Sequence, residues 1–332
     1  MNLVDYNKIL ILQPENPDGD SVASALALEE ILGDAGKQVT IYAYTNIPDY
    51  LKYIQGLDRI TNVFPDSNQF DLVIIVDTAS ELLLEKTLGN NLSLINKKPI
   101  YVLDHHAENT TGLDVLPGAI FFAGKRESYA ATGEIVYEIA SELGLKINKD
   151  AAEHICESVL ADTLGLTSQA ATAESIKIIY EMVKLGARLW QIDARRRQLG
   201  QKSPAVIKFK GELLSRIEYL FEGALAMVEI SWQEIVEISP HYNPNVLFLE
   251  EARNISGVKL AISFKSYPDG KITAKIRSNN PDEVSASDIA AVYGGGGHKY
   301  AAGFKVYDWN LSELKKDVVD NFAKLNKATA LC

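Results

Sequence analysis

The runs ILIL from Ile9, LVIIV from Leu72 and IYVL from Ile100 are apolar at every position, and helical periodicity separates and follows them. A strand with one face in water alternates apolar and polar residues. A strand that is apolar throughout is covered on both faces, the usual condition of parallel strands flanked by crossover helices. KILILQ is followed by the helical pattern SVASALALEEILGDAG, and QVTIYAYT by a short helical stretch, IPDYLKYIQGL. FDLVIIVDTA, KPIYVLDHH and AIFFAG supply further strands, after which SYAATGEIVYEIASELG, KDAAEHICESVLADTLG and TAESIKIIYEMVKLG read as helices. Alternation of this kind predicts an α/β fold, a doubly wound and mainly parallel sheet.

The chain has 332 residues, more than one hydrophobic core usually serves, so a second domain is expected. Residues 1–187 are assigned to the parallel-sheet domain. Residues 188–221 are richly charged and helical, with Pro204 punctuating them, and read as a connector. Residues 222–332 form a smaller α/β domain. Its strands are ALAMVEIS, VKLAISFKS and KITAKIRS, with YPDG turning between the last two. The helix ASDIAAVY runs into GGGGHKYAAGF, and SELKKDVVDNFAKLNKA closes the chain as an amphipathic helix.

Formal net charge is −11. Binding of long nucleic acid needs a broad basic face and is not expected from this balance; a short anionic ligand held by local cations or a metal remains compatible with it. Cys156 and Cys332 are too few for a disulfide framework and fit a reducing cytoplasm. The start, MNLVDYNKILIL, lacks the basic and long apolar segments of a secretory signal, and no apolar run approaches the roughly 20 residues of a membrane helix. No membrane association is expected.

In an open parallel sheet, ligands bind beyond the carboxyl ends of the strands. Acid gathers there in this chain: Asp18 and Asp20 follow KILILQ, Asp77 ends LVIIV, and Asp104 with His105 and His106 ends IYVL. Left alone, such carboxylates repel one another and rise in pKa, and divalent cations resolve that repulsion. Each feature also has an ordinary reading. Asp18-Gly19-Asp20 suits a turn and N-cap for a helix starting near Ser21, and Asp77 suits a loop at a strand end. Two adjacent histidines after an aspartate are less ordinary, since the chain holds five histidines in all.

Taken together, NPDGDS at Asn16, VIIVD ending at Asp77, LDHH at Leu103 and ADT at Ala161 resemble the motifs of the DHH phosphoesterase family. IRSNNPDEVSASDIAAVYGGGGHKYAAGF is similar to that family's associated C-terminal domain. The subgroup most resembled is that of the short bacterial nano-RNases and pAp-phosphatases, beside stand-alone cyclic-dinucleotide phosphodiesterases. The resemblance implies two domains facing a cleft and two divalent cations, manganese first and magnesium also compatible; the family often forms homodimers. Carried over residue by residue, it implies Asp77 as the bridge between the metals. Asp20, His105 and Asp162 complete the second site, and Asp18 belongs to the first. Asp104 stands behind an imidazole, and His106 points at the scissile phosphate. In the C-terminal domain it implies a phosphate grip from Arg277, Ser278, Gly294, Gly295, Gly296, Gly297 and His298. Glycine lets backbone N–H groups approach a phosphate with no Cβ in the way, and Arg277 can give two parallel hydrogen bonds. On their own, four glycines also suit a flexible loop, and Arg277 a surface ion pair.

One position departs from the family pattern. The histidine expected four residues before Asp18 is Pro14, which has no ligating side-chain atom, and the adjacent Gln13 is a weak, neutral ligand. The first site becomes all-oxygen and is expected to load weakly. The reading that follows is a metal-dependent phosphoesterase for phosphodiester bonds of short oligoribonucleotides or dinucleotides such as pApA, with the 3′-phosphate of pAp as a further target. The alternative is a nucleotide-binding protein with reduced or lost catalysis, because of Gln13 and Pro14. Manganese pyrophosphatases and RecJ-type exonucleases share the N-terminal motifs, but GGGGH and the chain length favour the short nucleotide-directed branch. Arg195, Arg196 and Arg197 read as a solvated helix face, and His154 and His241 stay outside the site.

Overall fold

The computed structural model describes residues 3–106, 115–116, 118–122 and 129–329; Cys332 lies outside the described residues. The chain divides into two units, Met1–Gly200 and Gln201–Cys332.

In the first unit β1 (Lys8–Leu12), β2 (Gln38–Tyr42), β3 (Ile60–Thr61), β4 (Leu72–Val76), β5 (Ile100–Leu103) and β6 (Ala119–Phe121) form one sheet in the order β3-β2-β1-β4-β5-β6. Every pair is parallel. The helices are α1 (Gly19–Asp34), α2 (Glu85–Ile95), α3 (Thr132–Glu142), α4 (Lys149–Asp162), α5 (Ala173–Lys184) and α6 (Leu189–Leu199). Ile9, Ile11, Ile74 and Val76 pack on one face against α1, α3 and α4, among them Leu26, Val136 and Ile155. Leu10, Leu12, Val73 and Ile75 pack on the other face with Leu88 and Ile95 of α2. Burial on both faces is the reason these strands carry no period-two alternation. Strand order reverses direction at β1, which pairs with both β2 and β4, so the switch point lies between β1 and β4, the strands that lead to Asp18, Asp20 and Asp77.

Three local expectations are corrected. IPDYLKYIQGL is not one helix but the 3-10 turns Asp49–Leu51, which follows Pro48, and Leu57–Arg59, which the left-handed Gly56 sets apart. α2 was not expected: Gly89, Asn90 and Asn91 are poor helix formers. It is held by burial of Leu88 and Ile95 and by Glu15, whose carboxylate accepts the N–H groups of Lys86 and Thr87 at the helix start. Arg195 is not on a solvated face. Its guanidinium binds Glu157 (3.0 Å) and Glu153 of α4 and the Tyr53 carbonyl (2.9 Å), tying α6 to α4. Arg197 does pair in the open, with Asp193.

The stretch 188–221 contains α6, which packs on α4 in the first unit, and α7 (Pro204–Ser215), which belongs to the second. The second unit continues with β7 (Glu218–Leu220), β8 (Leu225–Ile230), α8 (Trp232–Ile238), α9 (Pro244–Ala252), β9 (Leu260–Ser266), β10 (Ile272–Ser278), α10 (Ala286–Val292), β11 (Gly296–His298), β12 (Ala301–Val306) and α11 (Leu311–Thr329). The sheet order is β11-β12-β10-β9-β8-β7, antiparallel except for β8 with β9. α8 and α9 form the crossover between those two strands. They lie outside the helices read from the sequence, although the Ser231–Glu234 capping box and the Asn243-Pro244 start mark them. One sheet face, with Ile262, Phe264, Ala274 and Ile276, packs on α10 and α11. The other packs Ala226, Val228, Ile230 and Ala261 beneath α7, α8 and α9. Among the described residues no helix is long and apolar enough to cross a membrane.

Candidate metal centre

β1 ends into α1, whose N-cap is Asp18. Its carboxylate accepts from the N–H groups of Asp20 and Ser21, both at 3.0 Å, and the Ser21 hydroxyl accepts from the Asp18 N–H. The capping role is therefore real, and Asp18 remains exposed beside the cluster. Asp20, the second residue of α1, is fully buried and fixed from three sides. One oxygen accepts from Ser24 (2.8 Å) and Ser158 (2.5 Å), the other from the Thr132 N–H (2.7 Å). Ser158 also accepts the Gly133 N–H, and a Cβ at Gly133 would stand 2.3 Å from the Ser158 hydroxyl. Gly133 thus lets α3 close on α4 behind Asp20.

Asp77 leaves β4 with φ +58, a left-handed conformation that aspartate tolerates better than most residues. Its N–H donates to the Leu103 carbonyl (2.7 Å), and its Oδ1 accepts from the Thr132 hydroxyl (3.1 Å). Asp162 is the last residue of α4. His105, just past β5, brings these acids together. Its Nε2 lies 3.1 Å from Asp162 Oδ2, 3.5 Å from Asp77 Oδ1 and 3.6 Å from Asp20 Oδ2. Its Nδ1 faces the Tyr129 carbonyl at 3.4 Å. Although Nε2 is within ion-pair range of three carboxylates, it has no aligned hydrogen-bond partner among the described residues, and neither does the buried Asp104 Oδ2. An imidazole held at Nδ1 and pointing an orphaned Nε2 into carboxylates is the donor set of a divalent cation. Two overlapping groups of ligand atoms meet that requirement: Asp77, His105 and His106, and Asp20, His105 and Asp162, each within 4.8 Å. Asp18 belongs to neither group.

His106 is half exposed. Asp104 Oδ1 accepts from its backbone N–H (3.1 Å) and lies 2.7 Å from its Nδ1, which leaves Nε2 pointing away. Gln13 is fully buried with neither amide atom hydrogen-bonded among the described residues. The β1–β4 register ends at Leu12 paired with Ile75, one residue before Gln13 and two before Asp77. Glu15, the nearest acid, is committed to the start of α2 and does not supply the missing ligand. His154 is buried against Glu157 (2.9 Å).

The electrostatics follow from crowding. Burial pushes the Asp77 carboxyl well above its ordinary range, and Asp20, Asp18, Asp162 and Asp104 push it further. Burial lowers His105, but the Asp162 contact and the Asp20 charge outweigh it and raise the imidazole to about 9. The Asp104 contact raises His106 against burial and the neighbouring His105. Without metal, protons supply the missing positive charge.

Sequence reasoning missed Thr132, Ser24 and Ser158. Thr132 at the start of α3 binds both Asp20 and Asp77 without acting as the helix cap, so no local sequence signal singles it out. Thr132→Val removes the bond to Asp77 and keeps the backbone bond to Asp20. We expect manganese affinity to fall about 10- to 100-fold, measured by calorimetric titration.

In the second unit Arg277 pairs across β10–β12 with Ala301, which pairs across β12–β11 with His298. Directly paired residues share a sheet face, so Arg277 and His298 flank the small Ala301 on one surface. Arg277 donates to the Ile276 carbonyl (3.0 Å). Ser278 is turned into the fold, and its hydroxyl donates to the Val284 carbonyl (2.7 Å). Gly296 and Gly297 are not loop but part of β11, whereas Gly294, with φ +69, turns the chain out of α10. Gly295 and Gly297 have no room for a Cβ against β12.

Comparison with known proteins places similarity along both units. Residues 8–167 match the DHH family, N-terminal domain, and residues 243–327 the DHHA1 domain. The chain is 24% identical to a bifunctional oligoribonuclease and PAP phosphatase, NrnA, of Bacillus subtilis, over 92% of this chain and 91% of that one. It is 23% identical to the protein of the same name from Thermus thermophilus, over 94% and 88%. An exopolyphosphatase-related protein from Bacteroides fragilis shares the fold, with a TM-score of 0.67, 21% identity and coverage of 98% and 94%.

Proposed function

The chain belongs to the DHH family of phosphoesterases, and from that premise we propose that it hydrolyses the phosphodiester bonds of short oligoribonucleotides and dinucleotides and removes the 3′-phosphate of pAp. The observation that carries the reading is the position of His105 Nε2, within 3.1–3.6 Å of carboxylates from three separate segments. Asp20, Asp77, His105 and Asp162 would hold divalent cations, manganese or magnesium. Such cations, when bound, acidify water and neutralise charge on phosphate oxygens. The protein's own groups do the positioning. Ser24, Ser158 and Thr132 lock Asp20, Thr132 locks Asp77, and the Tyr129 carbonyl sets the ring of His105. His106, oriented by Asp104, whose contact raises the imidazole above its ordinary range, would present Nε2 to a phosphate oxygen of the substrate. Arg277, Gly294, Gly295, Gly296, Gly297 and His298 are proposed to hold a substrate phosphate, with Arg277 and His298 giving the direct contacts; Ser278, whose hydroxyl is bonded to the Val284 carbonyl, supports the strand that carries Arg277.

The non-catalytic alternative rests on Gln13 and Pro14 alone, since Asp18, Asp20, Asp77, His105, His106 and Asp162 are all present. Assay of pApA, cyclic di-AMP and pAp with manganese and with magnesium tests the reading. Turnover of pApA abolished by chelator is expected; binding without turnover under every metal condition would overturn it. We also propose that the first site, with Asp18 and without a histidine, loads more weakly than the second. Calorimetric titration of manganese should then resolve two unequal steps, and Pro14→His should tighten the weaker one by about tenfold or more.

A further inference from the structure

The second sheet has one half-open face. α7, α8 and α9 cover β8 and β9 there, but no residue of β10, β12 or β11 enters that apolar layer. In its place lies a cavity of about 550 Å³ between the start of α9 and β9, β10 and β12. Lys265, Lys275 and Lys305 line it, with Asn243, Asn245 and Gly303 and with Gly294 and Gly295 of the proposed phosphate grip, where the two sites adjoin; no carboxylate lines it. The register explains the convergence. Thr273 pairs with Lys265 on one side and Lys305 on the other, and Lys275 pairs with Gly303. Thr273, Lys275 and Arg277 alternate onto the same face of β10, so the lysines continue the row that Arg277 and His298 begin.

In a chain of net charge −11, unneutralised lysines in one cavity need a cause. Among the described residues no acid lies within ion-pair distance of Lys265, Lys275 or Lys305, whereas Lys259, Lys271 and Lys315 nearby all have one. Lys265 is only 8% exposed, and its ammonium is held by the Asn243 side-chain oxygen at 3.3 Å. Burial and the charge of Lys275 hold it below the ordinary lysine range. A buried cation facing other cations is costly unless an anion completes the site. The N-terminus of α9, with Asn245 N–H bound to Asn243, adds the positive end of a helix dipole at the same mouth.

The geometry points to Lys265, Lys275 and Lys305 as a second phosphate-binding site, one that takes the further phosphates of an oligonucleotide strand beyond those held at the Arg277–His298 row. This rests on the phosphoesterase reading and deepens it: chain length becomes a determinant of affinity. Residues two apart on a strand are separated by about 7 Å, comparable with consecutive phosphates of an extended strand.

The test compares wild type with Lys275→Glu and Lys305→Glu, both exposed positions, and uses Lys316→Glu on α11 as a charge-matched control. Binding of fluorescein-labelled penta-adenylate is followed by anisotropy in chelator against salt, and KM for the pentamer and for pApA is measured with manganese. Each cavity variant is expected to weaken pentamer binding at low salt about tenfold and to lower the salt slope by about 0.7 for a lost single-strand contact. The pentamer-to-dinucleotide ratio of KM should rise to match, and Lys316→Glu should leave binding and the ratio unchanged. An unchanged slope and ratio, or an equal loss in Lys316→Glu, would overturn the site. The anisotropy needs no turnover, so a protein that hydrolyses nothing but binds the pentamer through these lysines retains this inference and loses the hydrolase reading; turnover of pApA without lysine dependence does the reverse.

Discussion

Asp77→Asn is expected to lose at least about 10³-fold in kcat/KM for pApA and to melt at a higher temperature than wild type when both are free of metal. The two effects share one cause. The Asp77 carboxyl is pushed upward by burial and by Asp20, Asp18, Asp162 and Asp104, so its charge is a burden that only a cation relieves. A neutral amide removes the burden and the proposed ligand together. Asparagine is the informative replacement because residue 77 sits at φ +58, which asparagine adopts readily and alanine does not. Calorimetry in chelator and manganese titration check both halves. Tight manganese binding by the variant, or a lower metal-free Tm, would remove Asp77 from the centre of the site.

The second large effect is a pH dependence that metal reverses. His105 is raised to about 9 from an ordinary 6.5. A group whose folded pKa is raised contributes stability that is complete below its unfolded value and is lost as pH passes the folded one. Metal-free protein should therefore lose up to roughly 3 kcal/mol between about pH 6.5 and 9 from this group. The upward shift of Asp77 acts in the same sense, from the ordinary aspartate range upward. A divalent cation held by these residues as proposed would need both groups deprotonated, so manganese affinity should climb over the same interval and its binding should release protons. Melting curves from pH 6 to 9, with chelator and with manganese, should diverge as pH rises. Parallel curves would mean that His105 does not share its charge with the acids around it.

The strand-end acids were legible in the sequence because each follows a run whose burial is written in its composition: Asp77 after LVIIV, His105 after IYVL. What gathers them was less so. Thr132 and Ser158 are small, common residues, 112 and 138 positions from Asp20, and nothing local marks them. α2 was missed because its stability lies in tertiary burial and in a carboxylate 71 residues away, not in propensity. The dual role of Asp18 was visible as two competing readings, and the structure keeps its capping bonds without moving it from the rim. Arg195 was misread because Glu153 and Glu157, its partners, lie on another helix.

The tract GGGGH has a cost beyond the site. β11 is three residues long, bonded on one side to β12 and without a second strand partner among the described residues. An unpaired sheet border is a template on which another chain can add a strand, and most proteins protect it with charge or proline. Here the protection is brevity and entropy, since Gly296 and Gly297 lose much freedom on ordering and offer no side chains for a neighbour to pack on. Replacing them with β-branched residues would do more than obstruct a phosphate. It would give the border the means to recruit a second copy, and self-association would follow loss of activity.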